Sequence, residues 1–200
     1  MAGKTKYHHG NLREALLAAA LEILEAEGLA QLSLRKVSSK VGVSHAAPAH
    51  HFPTFGHLLT GLASVGYRRF DAAMKKARMR AARDPAAQMR AGGKGYLDFA
   101  VANPALFRLM FNATLLDWTD VGLMAASRPA RDQLREICAP AAARHGLKNE
   151  SQRLELEYLV WSQIHGRAHL LIDRKFAATD RDSELGRRGE SLDLADLLFR

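Results

Sequence analysis

Leu34-Arg35-Lys36-Val37-Ser38-Ser39-Lys40-Val41-Gly42-Val43-Ser44-His45-Ala46-Ala47-Pro48-Ala49-His50-His51-Phe52 is the stretch that decides the fold. It reads as a short helix, a Gly-Val-Ser turn and a second short helix. Ser33 is placed to cap a helix over 34–41 whose Leu34, Val37 and Val41 face inward. Two helices that cross steeply need a small residue at the crossing, supplied by Ser38 or Ser39, and a sharp turn between them, supplied by Gly42. Val37, Val41 and Val43 can clasp the pair together. Ser44 is placed to cap the second helix, which Phe52-Pro53 ends after about His51. A helix held out from the body in this way can enter a major groove. An αα-hairpin that merely packs has the same skeleton. Against that reading stands the outward face of the second helix, which is polar and small at His45, Ala46, Ala47 and His50, with Ser44, Ala49 and His51 beside it. Arg35, Lys36 and Lys40 add cations placed to reach phosphates, so these ten residues are the candidate DNA contacts.

Outward from this stretch the periodicity is helical. Before it, Asn11 to Glu27 carries one apolar stripe of Leu12, Ala15, Leu16, Ala19, Ile23 and Leu24, and Gly28 stops it. After it, a fourth helix is expected over Phe55 to Arg83. Asp84-Pro85 follows the basic run Lys75-Lys76-Ala77-Arg78-Met79-Arg80 and is the candidate boundary between modules. Beyond it the pattern predicts helices at about 86–102, 104–112, 117–125, 128–144 and 150–173, with Pro104 and Pro129 in first turns. Residues 176–190 read as a mobile polar loop, and Leu192 to Phe199 as a last short helix. Strand signals are nearly absent. The expected architecture is all-α, with a three-helix helix-turn-helix DNA-binding domain over 1–60 and an effector-binding, dimerising helical bundle over 61–200.

The chain has 200 residues, 48% of them hydrophobic and 25% charged, a globular rather than a disordered composition. Its net charge of +8 is one-sided: residues 1–90 hold 14 Lys/Arg against 6 Asp/Glu, and residues 91–200 hold 15 of each. Such a field suits a polyanion, whether nucleic acid or an anionic membrane surface, or it is a solvated basic face with no partner. No apolar run approaches the roughly 20 residues that cross a bilayer. Met1-Ala2-Gly3-Lys4 has no apolar core behind it, so no signal peptide is expected. Cys138 is the single cysteine, which rules out an intrachain disulfide, and a cytoplasmic location is expected.

Several stretches together resemble the TetR/AcrR family of regulators. They are Tyr7-His8-His9-Gly10-Asn11-Leu12-Arg13 with Ala15-Leu16-Leu17, then Leu34-Arg35, Val41-Gly42-Val43-Ser44-His45-Ala46-Ala47-Pro48, His51-Phe52-Pro53 and Leu58-Leu59. Ala102-Asn103-Pro104, Leu106-Phe107-Arg108-Leu109-Met110-Phe111 and Trp161-Ser162-Gln163-Ile164-His165-Gly166 are similar to a C-terminal domain type of that family named for its Trp/His-Gly motif. The resemblance implies a dimeric repressor or activator whose C-terminal domain binds a small effector. It also places the segment around His8-His9 near the DNA backbone. Two positions depart from the family pattern: Ala49 stands where Tyr is usual and Phe55 where Lys is usual. Both usual residues touch the DNA backbone, so their loss weakens grip without altering base readout.

Other constellations carry less chemistry. Gly92-Gly93-Lys94-Gly95 lacks the spacing, the following Ser/Thr and the preceding strand of a phosphate loop. His165 and His169 stand four apart on one helix face, but two nitrogens alone do not make a metal site, and no carboxylate is expected beside them at helical spacing. No metal and no cofactor are expected. Phe99, Phe107, Met110, Phe111, Trp118, Trp161 and His165 are candidates to line an effector cavity, the alternative for each being plain core. The helix at 150–173 is apolar on more than one side, which predicts a homodimer interface through Leu156, Leu159, Val160, Ile164 and Leu171. An enzyme would need a nucleophile–base pair, a metal cluster or a cofactor loop, and none is legible. The expected function is a ligand-responsive repressor that grips double-stranded DNA as a dimer and has no membrane partner. The alternative is a helical ligand-binding or protein-interaction adaptor whose DNA binding is weakened at Ala49 and Phe55.

Overall fold

The computed structural model describes residues 12–174 and 194–199. The N-terminal arm with His8-His9 and the expected loop at 176–190 lie outside the described residues. Every regular element among the described residues is helical, as expected. The helices are α1 (Leu12–Glu27), α2 (Leu34–Val41), α3 (Phe55–Met79), α4 (Pro85–Ala102), α5 (Pro104–Met110), α6 (Val121–Arg144), α7 (Glu150–Ile172) and α8 (Leu194–Phe199), with single 3-10 turns at Leu29–Gln31 and Ala47–His50.

They form two compact units, one of residues 1–66 with 105–126 and one of 67–104 with 127–200. The grouping is not the contiguous division at residue 60: α5 and the start of α6 join the N-terminal helices, and the chain passes between the units inside α3, at the start of α5 and inside α6.

In the first unit α1 packs on α2. Leu16, Leu24, Val37, Phe52, Leu58, Leu62, Leu106, Phe107, Met110 and Leu123 are fully buried there. The packing is close, since a Cβ on Gly66 would stand 2.6 Å from Met110 Sδ. Ser64 Oγ donates to the Thr60 carbonyl at 3.0 Å, while Thr60 Oγ1 accepts from the Asp117 amide at 3.1 Å, so both buried hydroxyls are satisfied.

Residues 117–120 are not helical, contrary to the expected helix at 117–125. Asn112 Oδ1 accepts from the Thr114 and Leu115 amides, and Asp117 Oδ1 from the Thr119 amide and hydroxyl, which holds a chain of side-chain turns. The Thr119 bonds also hold the Asp117 carboxyl below its usual range. Asp120 Oδ1 then accepts from the Leu123 amide at 2.7 Å at the entry to α6. The helix continues through Pro129 and Pro140 instead of restarting at 128. Each proline removes one i→i−4 bond. The carbonyls left without it belong to Ala125 and Glu136, both exposed residues.

In the second unit α4 packs on α7 and α8. Met89, Ile137, Cys138, Ala141, Ala142, Leu156, Val160 and Ala195 form one core cluster. The glycines of α4 mark close approach: a Cβ on Gly92 would meet Ile137 Cδ1 at 2.5 Å, and one on Gly95 would meet the Met74 backbone at 2.8 Å. Asp84 caps α4 through the Ala87 amide. Gln133, almost wholly buried, donates to the Asp71 carbonyl and carboxylate and accepts from Arg78 Nη1 at 3.2 Å. Arg78 also reaches Gln88 and Glu136. Gln88 in turn donates to the Arg78 and Ala82 carbonyls, around the end of α3, where helical carbonyls lack intrahelical donors.

Candidate nucleic-acid interface and aromatic cluster

The helix-turn-helix frame is fixed at both ends of α2. Ser33 is extended, and its Oγ accepts from the Lys36 amide at 3.2 Å. Gly42 is left-handed, with φ 78° and ψ 30°, a conformation costly for a residue with a Cβ. Its amide and that of Val43 close back on Ser38 and Ser39 carbonyls. Ser38, not Ser39, is the buried small residue, and its hydroxyl returns to the Leu34 carbonyl at 2.8 Å. Val37 is fully buried while Val41 and Val43 are half-buried, so the clasp is led by Val37.

The second short helix differs from expectation. A 3-10 turn over Ala47–His50 replaces an α-helix from Ser44, and its N-cap is Ala46, with no side-chain cap bond. Pro48 supplies the reason. An α-helix beginning after Ser44 would need the residue 48 amide to close on the Ser44 carbonyl, and proline has none. The Ala47 amide makes that closure instead, at 3.0 Å. Pro48 and Phe52 are buried, and the Arg13 guanidinium stands 5.3 Å over the Phe52 ring. The segment is thereby anchored at two points while its other residues face out.

Arg35, Lys40, Ser44, His45, Ala46, Ala49, His50 and His51 are exposed, with Lys36 and Ala47 half-buried. Lys36 is ion-paired with Glu27, and Lys40 with Glu22 at 3.0 Å. Sequence reasoning missed that these two cations are held by α1 carboxylates. It also missed Thr54, whose Oγ1 accepts from the His57 amide and lies 2.7 Å from His57 Nδ1 at the entry to α3. The signal was a Thr three residues before a His at a helix start. Phe55 is half-buried there.

The seven cavity candidates fall into both units. Phe107, Met110, Phe111 and Trp118 belong to the first, and Phe99, Trp161 and His165 to the second. Phe107 and Met110 are fully buried in the first unit, and Phe99 is buried in the second. In the second unit, aromatic rings and imidazoles stand next to one another. Phe70 meets Phe99 at 5.3 Å and Tyr96 at 4.7 Å; Tyr158, Trp161, His165 and His169 follow along α7 at 6.3, 5.8 and 4.7 Å between successive centroids. Tyr96, which sequence reasoning passed over, places its hydroxyl oxygen 2.7 Å from His165 Nδ1. Its position three residues before Phe99 on α4 was the available clue. Burial raises the Tyr96 hydroxyl well above its usual range, against a hydrogen bond with Trp161. Burial, with His169 second, lowers the His165 ring to about 4.

A carboxylate does stand at helical spacing from the histidines. Asp173, four residues after His169, is the C-cap of α7, and the Asp173 amide closes on the His169 carbonyl. Among the described residues no three His, Cys, Asp or Glu side chains are grouped to hold a metal ion.

Of the five residues expected at a dimer interface, Leu156 and Val160 are core of their own subunit, because they face Ile137, Cys138 and Ala141. Ile164 is half-buried, while Leu159 and Leu171 are exposed. The apolar surface of α7 is instead Leu154, Tyr158, Leu159, Leu170 and Leu171, with Leu159 68% exposed. No described helix is long and apolar enough to cross a membrane.

Residues 89–189 match the family described as the tetracyclin repressor-like C-terminal domain. A protein of unknown function from Rhodococcus sp. RHA1 superposes with a TM-score of 0.77 at 29% identity, covering 98% of each chain. The TetR family transcriptional regulator PfmR of Thermus thermophilus shares the fold, with a TM-score of 0.57 at 19% identity over 92% of this chain and 96% of its own. The nucleoid occlusion factor SlmA of Vibrio vulnificus is 32% identical over 117 residues, and the matched stretch spans 58% of each chain. With the matched C-terminal domain covering half of the sequence and the helix-turn-helix frame built at its other end, the chain belongs to the TetR family of transcription regulators.

Proposed function

We propose that this regulator grips double-stranded DNA as a cytoplasmic homodimer and represses its targets until a small molecule binds its second unit. The observation that carries the DNA reading is the solvent-facing segment Ser44–His51, small and polar, pinned by Pro48 and Phe52 and flanked by Arg35, Lys36 and Lys40. Small side chains let backbone and imidazoles approach base edges, and the cations address phosphates. Dimerisation is supported by the exposed apolar face of α7, which a symmetric partner covers with the same residues. Two such segments grip half-sites about 34–36 Å apart only when their spacing matches, and an effector would change that spacing. Phe99, Trp161 and His165 with Tyr96 are the effector-facing candidates. The test is fluorescence anisotropy of labelled duplex from upstream of the protein's own gene, titrated at several salt concentrations, with sedimentation velocity on the same sample. Saturable binding that weakens with salt, by a dimer, supports the reading. Binding that is absent at low salt, or a monomer at micromolar concentration, overturns it.

A second reading rests on the similarity to a nucleoid occlusion factor, together with Ala49 and Phe55. In it the protein is a helical adaptor whose DNA binding is weakened and whose C-terminal unit meets another protein. It predicts DNA binding that no small molecule releases.

A further inference from the structure

We propose that α8 is a detachable strap, which opens as a unit while the rest of the second unit stays folded and so uncovers an apolar slot floored by α4 and α6. A six-residue helix has too few internal hydrogen bonds to persist by itself, so its helicity depends on docking. Docking is made by Ala195, wholly buried in the core cluster, and by Leu194, Leu198 and Phe199, which pack against it. Two polar ties add to this. Arg90 of α4 is ion-paired with Asp196, and His145 Nε2 lies 2.9 Å from the Leu198 carbonyl. The second tie serves a carbonyl of a final helical turn, which has no intrahelical donor. Both ties sit at the surface, where water replaces them at small cost. The remaining core members come from three long helices and make their contacts without α8. The strap is therefore the cheapest part of this core to open.

Cys138 belongs to the same core cluster as Ala195 and is 2% exposed. Burial, with Glu157 second, pushes its thiol up to about 12, so the docked state holds it protonated as well as shielded. Undocking exposes the sulfur and restores thiolate character, which makes Cys138 a reporter of strap position.

The experiment is labelling of the folded full-length protein with an aromatic disulfide at neutral pH. Cys138 is the single cysteine, so one signal is read. The wild type should label about 100-fold or more slower than a short cysteine peptide, because only the open fraction reacts. Leu198→Glu, which puts a charge against the core, should accelerate labelling about tenfold or more, with little loss in melting temperature. Asp196→Lys should accelerate it by about two- to fivefold, and Arg90→Glu in the same chain should restore the slow rate, because the pair is re-formed with its signs exchanged. If Leu198→Glu fails to fold, the charge exchange at 90 and 196 decides. Unchanged labelling in folded variants overturns the proposal, as does labelling that tracks global unfolding.

Discussion

The Tyr96 hydroxyl oxygen lies 2.7 Å from Nδ1 of His165, and Trp161 hydrogen-bonds to the same hydroxyl. An indole N–H can only donate, so the Tyr96 oxygen accepts from Trp161. The His165 ring is in its neutral form, in keeping with its lowered pKa of about 4.

Stability should therefore fall on acidification. The unfolded chain binds a proton at His165 near the ordinary value of 6.5, the folded chain only near 4, so between these values the unfolded state holds more protons. The contribution is fully present above about 6.5 and is lost as the pH falls to about 4. Solvent screening at a half-exposed ring limits it to about 1–2 kcal/mol. Urea unfolding at pH 7.5 and 5 should show the drop in the wild type and a smaller one in His165→Gln. Equal drops in both proteins would place the acid sensitivity elsewhere.

Gly95→Ala sets helix propensity against packing. Alanine favours a helix over glycine by about 1 kcal/mol. Its Cβ, however, would stand 2.8 Å from the Met74 backbone and 3.0 Å from the Ala73 carbonyl oxygen, atoms that no side-chain rotation can move away. Packing should win, with a net loss of about 1–3 kcal/mol in chemical denaturation. A stabilised variant would show that α3 and α4 separate readily here.

Gln133→Leu removes the shared partner of Asp71 and Arg78 while nearly keeping the volume. The Asp71 carboxylate keeps Lys75 and Arg78 keeps Gln88 and Glu136, so neither charge is abandoned. The expected cost is about 1–3 kcal/mol, read as a lower urea midpoint with an unchanged slope.

Glu22→Gln and Glu27→Gln should tighten DNA binding. Each carboxylate holds a candidate phosphate-reaching lysine in a solvent-exposed pair, of a kind worth about 0–1 kcal/mol to folding. Neutralising both should leave the melting temperature nearly unchanged and raise affinity several-fold for every sequence alike. Each newly engaged phosphate should steepen the log–log salt dependence by about 0.9. An increase confined to one sequence would mean that these lysines read bases.

The fold was legible where side-chain pattern and backbone demand agree. Ser33 and Gly42 bound α2 as their chemistry requires, and Leu16, Ala19, Ile23 and Leu24 of the α1 stripe are buried, together with Leu17, Ala20 and Leu21 outside it. It was illegible where one residue type has two uses. Pro129 reads as a helix start, yet it sits inside α6, because its cost depends on whether the orphaned carbonyl meets water, which periodicity does not record. Pro48 acts the other way, turning an expected α-helix into a 3-10 turn by lacking one amide. At the candidate site, the polar pattern of Ser44, His45, His50 and His51 was readable in the sequence, but the pairing of Lys36 and Lys40 depends on how α1 and α2 lie together. Leu156 and Leu159 look alike in a periodicity and differ by which side of α7 faces α6.

Phe70, Met74 and Arg78 of α3 serve the second unit, whereas Leu58, Leu62 and Thr60 of the same helix serve the first. Homology to the C-terminal domain begins at residue 89, after all of them. A fragment cut at that point would lose the ring that Tyr96 and Phe99 stack on, the backbone against which Gly95 lies and the guanidinium that meets Gln133. The edge of what is inherited as a recognisable module is thus not the edge of what folds. For this chain, a fragment meant to isolate the second unit must start no later than the middle of α3, near Tyr67, and must bring the whole of α6.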